Sequence, residues 1–173
     1  MLELKELTMK TLKIFNVSDT KNLGSALLEC VMSDDETKMN EFCNLVENDL
    51  SKDWLQMIYQ YYLAEREQKK QDYTPKCLAQ FLSRLIGESD STIDMCSGSG
   101  ALTIQRWNEY PDMEFELYEF DENVIPYLIF NMSVRNINAV IHQSDILQQE
   151  IVNSWKVQKG AKYGKVINIK PAV

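Results

Sequence analysis

The sequence predicts an α/β protein, a helical N-terminal region followed by a parallel sheet with flanking helices. Three observations carry this. Apolar residues recur at helical spacing through residues 1–72. From residue 73 onward, short apolar runs of strand length alternate with helical stripes. A small-residue turn, Cys96-Ser97-Gly98-Ser99-Gly100, separates the first of those runs from the next helix. The chain thus divides into a helical region, 1–72, and an α/β region, 73–173.

In the first region Leu4, Leu7, Leu12 and Phe15 sit near helical spacing. Thr20 suits the cap of a helix carrying Leu23, Ala26, Leu27, Cys30 and Val31, and Asp34 or Asp35 that of a helix carrying Met39, Phe42, Leu45 and Val46. A fourth helix is expected from Ser51, with Asp53 at an acid-rich start and Trp54, Met57, Ile58, Tyr61, Tyr62 and Leu63 on a broad apolar face. The run Glu65-Arg66-Glu67-Gln68-Lys69-Lys70-Gln71 would end it in solvent. The clustered aromatics could stack on bases, but their helical spacing favours core packing.

In the second region Thr74 is expected to cap a helix with Pro75 at its first position and Leu78, Phe81, Leu82, Leu85 and Ile86 as its buried stripe, ended by Gly87. Strands are expected at 92–95, 114–119, 139–142 and 166–169, the last as a fourth strand, with helices at 101–108 and 123–135. Strand–helix alternation of this kind implies parallel pairing with helical crossovers.

Composition narrows the function classes. With 173 residues and 45% hydrophobic content the chain can build a real core, and no apolar run is long enough to suggest a membrane span or signal peptide. Four cysteines without a Cys-x-x-Cys pair and a single histidine argue against a zinc site, and reduced thiols imply the cytoplasm. Eighteen Lys+Arg against 26 Asp+Glu leave a net charge of -8, the wrong sign for holding DNA through phosphates alone. After Glu150 only basic charges follow (Lys156, Lys159, Lys162, Lys165, Lys170), read first as a solvated lysine-rich loop and second as a phosphate-facing tail.

The chemistry-bearing residues gather at strand ends. Gly98 and Gly100 permit close approach of ligand and backbone where a strand turns into a helix, and the helix start offers unpaired N–H groups. Asp94 ahead of them suits a cationic ligand group better than a pyrophosphate, and no third glycine follows at the dinucleotide spacing. About 20 residues later Glu119 ends the second expected strand, where such sheets hold a ribose; Asp121 is assigned to capping the next helix. Asp145 after the third strand has two readings, an acceptor for an adenine amine with Ile146 packed on the ring, or a turn former. His142 has no nucleophile-orienting neighbours and reads as a strand-end residue.

Taken together, Tyr73-Thr74-Pro75, then Asp94-x-Cys96-x-Gly98-x-Gly100, Tyr118-Glu119, the helix reaching Asn131-Met132, and Ser144-Asp145 resemble the amino-methylating DNA adenine methyltransferases, or N-6 DNA methylases. The modification subunits of type I restriction-modification systems and similar type II enzymes are of this kind. The resemblance implies a partial Rossmann-like sheet that binds S-adenosylmethionine (SAM). Tyr73, Thr74 and Pro75 would cover its methionine end, the turn bearing Asp94, Cys96, Gly98 and Gly100 would wrap it, Glu119 would hold the ribose, and Asp145 with Ile146 would meet the adenine.

The family's catalytic motif, Asn-Pro-Pro followed by Tyr or Phe at the end of the fourth strand, holds the target amine and stacks on the flipped base. Here the corresponding stretch reads Lys170-Pro171-Ala172-Val173, which lacks both the amide and the ring. The expectation is therefore a methyltransferase-like chain, truncated after the fourth strand and catalytically degenerate, or else one piece of a split enzyme or a fold reused for binding. Its open sheet edge would invite a protein partner or a second copy. The alternative is a non-enzymatic acidic interaction or inhibitor protein acting on a nucleic-acid-handling machine, such as a phage or mobile-element regulator. Catalysis on a small molecule or protein is a third reading, with no acceptor-binding residue to name.

Overall fold

The structure is a computed structural model and describes residues 3–64 and 74–169. Its N-terminal region comprises α1 (Leu4–Ile14), a 3-10 turn (Thr20–Asn22), α2 (Leu23–Met32), α3 (Glu36–Leu45) and α4 (Trp54–Tyr62). The α/β region follows as α5 (Lys76–Ile86), β1 (Ser91–Asp94), α6 (Ala101–Glu109), β2 (Glu114–Glu119), α7 (Ile125–Val134), β3 (Ala139–Asp145), β4 (Glu150–Gln158) and β5 (Lys165–Ile169).

Short acidic side chains start the helices. Asp19 accepts the Lys21 N–H ahead of the 3-10 turn, Asp35 the Lys38 N–H at α3, and Asp53 the Gln56 N–H at α4. Thr20, expected as a cap, instead begins the 3-10 turn.

The helical region and the sheet share one hydrophobic core. Leu7, Leu23, Phe42 and Ile58 are buried with Ile104, Leu117, Phe130 and Ile141. Phe15 and Phe42 meet the ring of Phe130 edge-on, at centroid distances of 5.3 and 5.2 Å, and Tyr59 meets Tyr127 likewise at 5.1 Å. Each fully buried large side chain of this kind contributes about 1.5–3 kcal/mol, so the helical region and α7 depend on each other.

The sheet order is β1-β2-β3-β4-β5. β1, β2 and β3 pair in parallel, as the alternation predicts, but β3 pairs antiparallel with β4 and β4 antiparallel with β5. Two expectations are corrected here. Residues 150–158, read as part of a lysine-rich loop, form β4: Trp155 and Val157 alternate inward against exposed Lys156 and Gln158. The stretch 166–169 is consequently the fifth strand, at the opposite edge of the sheet from β1. Lys156, Lys159, Lys162 and Lys165 lie on the β4–β5 hairpin, where Lys159 pairs with Asp112 at 2.9 Å; Lys170 lies outside the described residues.

The α5 helix brings the largest departure. It begins at Lys76 with Pro75 in the cap position and no capping side chain, so Thr74 does not cap it. Its apolar stripe, expected in the core, faces outward: Phe81, Leu85 and Ile86 are 61, 69 and 62% exposed. Small residues, Ala79 and Ser83, take the inward face. They let α5 lie close to α6, where the Arg106 guanidinium donates to the carbonyls of Ser83 (3.0 Å) and Gly87 (2.6 Å) and Arg84 pairs with Glu109 at 2.9 Å. Ile93 in β1 and Met95 just after it are exposed as well.

Candidate cofactor site

Parallel pairing brings the C-terminal ends of β1, β2 and β3 to one end of the sheet. The register places Asp94 level with Leu117, and Glu119 level with Gln143, so each strand reaches two residues beyond its neighbour. Asp94, Glu119 and Asp145 therefore form a diagonal with steps of roughly 8 Å, given ideal strand spacing and rise.

Between β1 and α6 the chain turns through Gly98 (φ 55°) and Gly100 (φ 97°). Gly100 is favoured by its left-handed backbone, and an added Cβ would stand 2.9 Å from Met132 Cε and 3.1 Å from Leu128 Cδ1, side-chain ends that would have to shift. The turn is tied to β2 by the Ser97 N–H, which donates to the Tyr118 carbonyl at 3.0 Å, and by the Gly98 N–H, which donates to Glu119 Oε2 at 2.8 Å. The second Glu119 oxygen accepts the Asp121 N–H at 2.8 Å. Asp94 Oδ1 accepts the Cys96 N–H at 3.2 Å.

Burial pushes the carboxyls of Asp94 and Glu119 above the usual carboxylate range, against the backbone N–H groups that favour their charged forms. A cationic ligand group beside Asp94 would pull it back towards ionisation. The Cys96 thiol is also raised, by burial first and then by Glu119 and Asp94, and is therefore a poor nucleophile.

In the segment directly after Glu119, a cavity of about 430 Å³ opens between Phe120, Asp121, Asn123, Ser144, Asp145 and Val152. Its size falls within the range of small-molecule sites. Asp121 accepts from the Asn123 N–H at 3.0 Å, in the turn that leads to α7. Asp145 ends β3 and its Oδ1 accepts the N–H groups of Leu147 (3.0 Å) and Gln148 (3.2 Å). It is thus a turn former while it faces the cavity.

Not every expected site residue converges. Of the expected cofactor residues only Asp145 lines the cavity; Asp94, Cys96, Gly98, Gly100 and Glu119 do not, and neither do Thr74, Pro75 and Ile146, the last half-buried in the β3–β4 turn. Tyr73 and the stretch Lys170-Pro171-Ala172-Val173 lie outside the described residues. The register that reads 170–173 as the acceptor motif treats 166–169 as a fourth parallel strand, whereas the fourth position is taken by antiparallel β4. Phe120 was missed by the sequence reading: an exposed ring directly after Glu119, on the cavity wall. Its signal was an aromatic residue following the strand-end acid. His142 lies mid-strand, bonded through Nδ1 to Ser154 Oγ at 2.8 Å and stacked on Tyr118, away from the cavity.

A parallel three-strand unit with a glycine turn after its first strand and acids at the ends of all three defines an α/β domain of the methyltransferase class. The chain belongs to the N-6 DNA Methylase family, which matches residues 50–166. Comparison with curated proteins and with solved structures gave no match. The matched span begins at the turn before α4 and so includes part of the helical region. Members of this family generally depend on SAM. Among the described residues no helix is long and apolar enough to cross a membrane, and no cluster of His, Cys, Asp and Glu could hold a metal ion.

Proposed function

We propose that this chain binds SAM at the β1–β3 end of the sheet and forms the methyl-donor half of a DNA adenine methyltransferase site. The observation that carries this is the Gly98–Glu119 hydrogen bond, which holds the glycine turn against a strand-end acid whose next residue, Phe120, lines a ligand-sized cavity. The donor set fits the cofactor. Asp94 offers negative charge to the amino-acid portion, Glu119 keeps lone pairs on both oxygens for ribose hydroxyls, and Phe120 with Asp145 offers a ring face and an acceptor to the adenine.

When bound, SAM supplies an electrophilic methyl group. The residues of this chain would bind and orient it; none among those described is placed to hold an acceptor base. We assign the acceptor half to an element added at the β1 edge. Among the described residues that edge has no neighbour on its outer side, and α5, the element before β1, carries the exposed apolar stripe of Phe81, Leu85 and Ile86. The cytoplasm is the expected setting for such a protein.

Isothermal titration with SAM tests the reading. Saturable one-to-one binding that Asp94→Ala weakens by about tenfold or more supports it. No binding by the wild-type protein, or binding indifferent to Asp94, overturns it and leaves the acidic interaction protein suggested by the charge of -8.

A further inference from the structure

The glycine turn is held on one side by β2 and on the other by a buried amide. Asn131, on α7, donates one N–H to the carbonyl of Ser99 at 2.9 Å and the other to Asp53 Oδ1 at 2.9 Å, while its own oxygen accepts from Arg135 Nη1 at 2.9 Å. All three hydrogen-bonding groups of this side chain are used, and no other residue of this size both donates twice and accepts. Asp53 comes from the cap of α4, in the helical region. Arg135 is clamped to that same region, donating to the carbonyls of Leu50 (2.9 Å) and Lys52 (2.7 Å) and to that of Asn131 (2.9 Å). The Ser99 hydroxyl adds a weaker contact to Asp53, short of full hydrogen-bond geometry.

The Ser99–Gly100 peptide is planar, so aiming its carbonyl at Asn131 also aims the Gly100 N–H, which donates to the Ser97 carbonyl at 2.9 Å. Orientation of the turn therefore depends on a chain of bonds that starts in the helical region.

We infer that Asp53, Asn131 and Arg135 are positioning residues through which the helical region sets the shape of the glycine turn, so that SAM affinity depends on side chains outside the cavity. The inference rests on the SAM-binding reading for its effect on affinity, but its structural half stands without it. Asp53 does not line the cavity. A buried amide tied at both ends resists small shifts, because each displaced donor or acceptor would stay buried without a partner.

The discriminating protein is the double variant Asp53→Asn with Asn131→Asp. It restores a hydrogen bond between positions 53 and 131 with the polarity reversed, keeps the acceptor for Arg135, and removes the donor to the Ser99 carbonyl. Its thermal midpoint should exceed that of Asn131→Asp alone, while SAM affinity stays about tenfold or more below wild type. Amide exchange at Gly98 and Gly100, followed without SAM, should quicken by about tenfold.

A folded double variant with wild-type exchange in the turn overturns the inference, whatever SAM does. A wild-type protein that binds no SAM, with exchange still quickened in the double variant, overturns the proposed function and leaves the positioning role standing. If Asn131→Asp alone does not fold, the double variant is compared directly with wild type.

Discussion

The Gly98 N–H donates to Glu119 Oε2 at 2.8 Å, across 21 residues of sequence and from one strand end to the next. The Asp121 N–H donates to the other oxygen of the same carboxylate. One side chain thereby fixes both the glycine turn and the segment that leads into α7, and the proposed function assigns it the ribose. Glu119→Gln replaces one acceptor oxygen by a donor and leaves one of these two N–H groups facing it. SAM binding should weaken by about tenfold to a hundredfold, measured by titration calorimetry, with the far-ultraviolet circular dichroism unchanged.

Asp94 predicts a pH dependence. Burial raises its carboxyl above the ordinary value of 3.8 in the free protein. A folded-state pKa above the unfolded one stabilises the fold at low pH, and that contribution is lost as pH rises through the folded value. A cationic ligand needs the ionised form, so SAM affinity should rise with pH above 3.8 and level off once Asp94 is ionised. Asp94→Asn should flatten that profile, weaken binding and slightly raise the thermal midpoint near neutral pH. A steep profile persisting in the variant would assign the titration to another group.

Gly100→Ala should be costly for the fold. The left-handed backbone alone costs about 1–3 kcal/mol for a residue with a Cβ, and the methyl would press on Met132 and Leu128. Urea unfolding should show a loss of that size or more. Gly87→Ala should also be costly, for a purely backbone reason: nothing lies within 4 Å of its added Cβ, but its φ of 75° and ψ of -170° fall in the extended positive-φ region that is essentially confined to glycine.

Arg135 is buried, and burial draws its guanidinium down to about 10 while Asp53 opposes the shift. Arg135→Met leaves Asp53 without that charge and three carbonyls without a donor. A loss of about 3–5 kcal/mol is expected, read as a fall in the urea midpoint. A change below 1 kcal/mol would mean that the carbonyls of Leu50 and Lys52 find water.

The outward stripe of α5 separates folding from association. Phe81→Glu and Leu85→Glu should leave the unfolding free energy within about 0.5 kcal/mol, since both side chains are already exposed. Light scattering of the wild-type protein, alone and with candidate partners, should show association that the paired substitutions abolish.

Local pattern carried much of the fold into the sequence. Helix periodicity marked α1 to α4, strand–helix alternation marked β1 to β3, and the glycines at 98 and 100 marked the turn, because each depends on neighbours a few residues apart. The family resemblance was legible for the same reason, since it rests on short motifs in order.

Other features depend on what a segment meets in space. Whether the α5 stripe is buried turned on Ala79 and Ser83, which let α6 approach the opposite face. β4 was hidden because its inward positions, Trp155 and Val157, are too few to outweigh interleaved lysine and glutamine, and its pairing with β3 spans a register shift. The displacement of 166–169 to the far edge follows from β4 and has no local signature. The same holds for the site. Asp94, Gly98 and Glu119 could be named from the sequence, but the bond between the last two, and the path from Asp53 through Asn131 to Ser99, join residues 21, 78 and 32 apart. Sequence determined which side chains the protein has to bind with. Tertiary packing decided which of them touch, because a hydrogen bond forms only where the whole core brings donor and acceptor within about 3 Å.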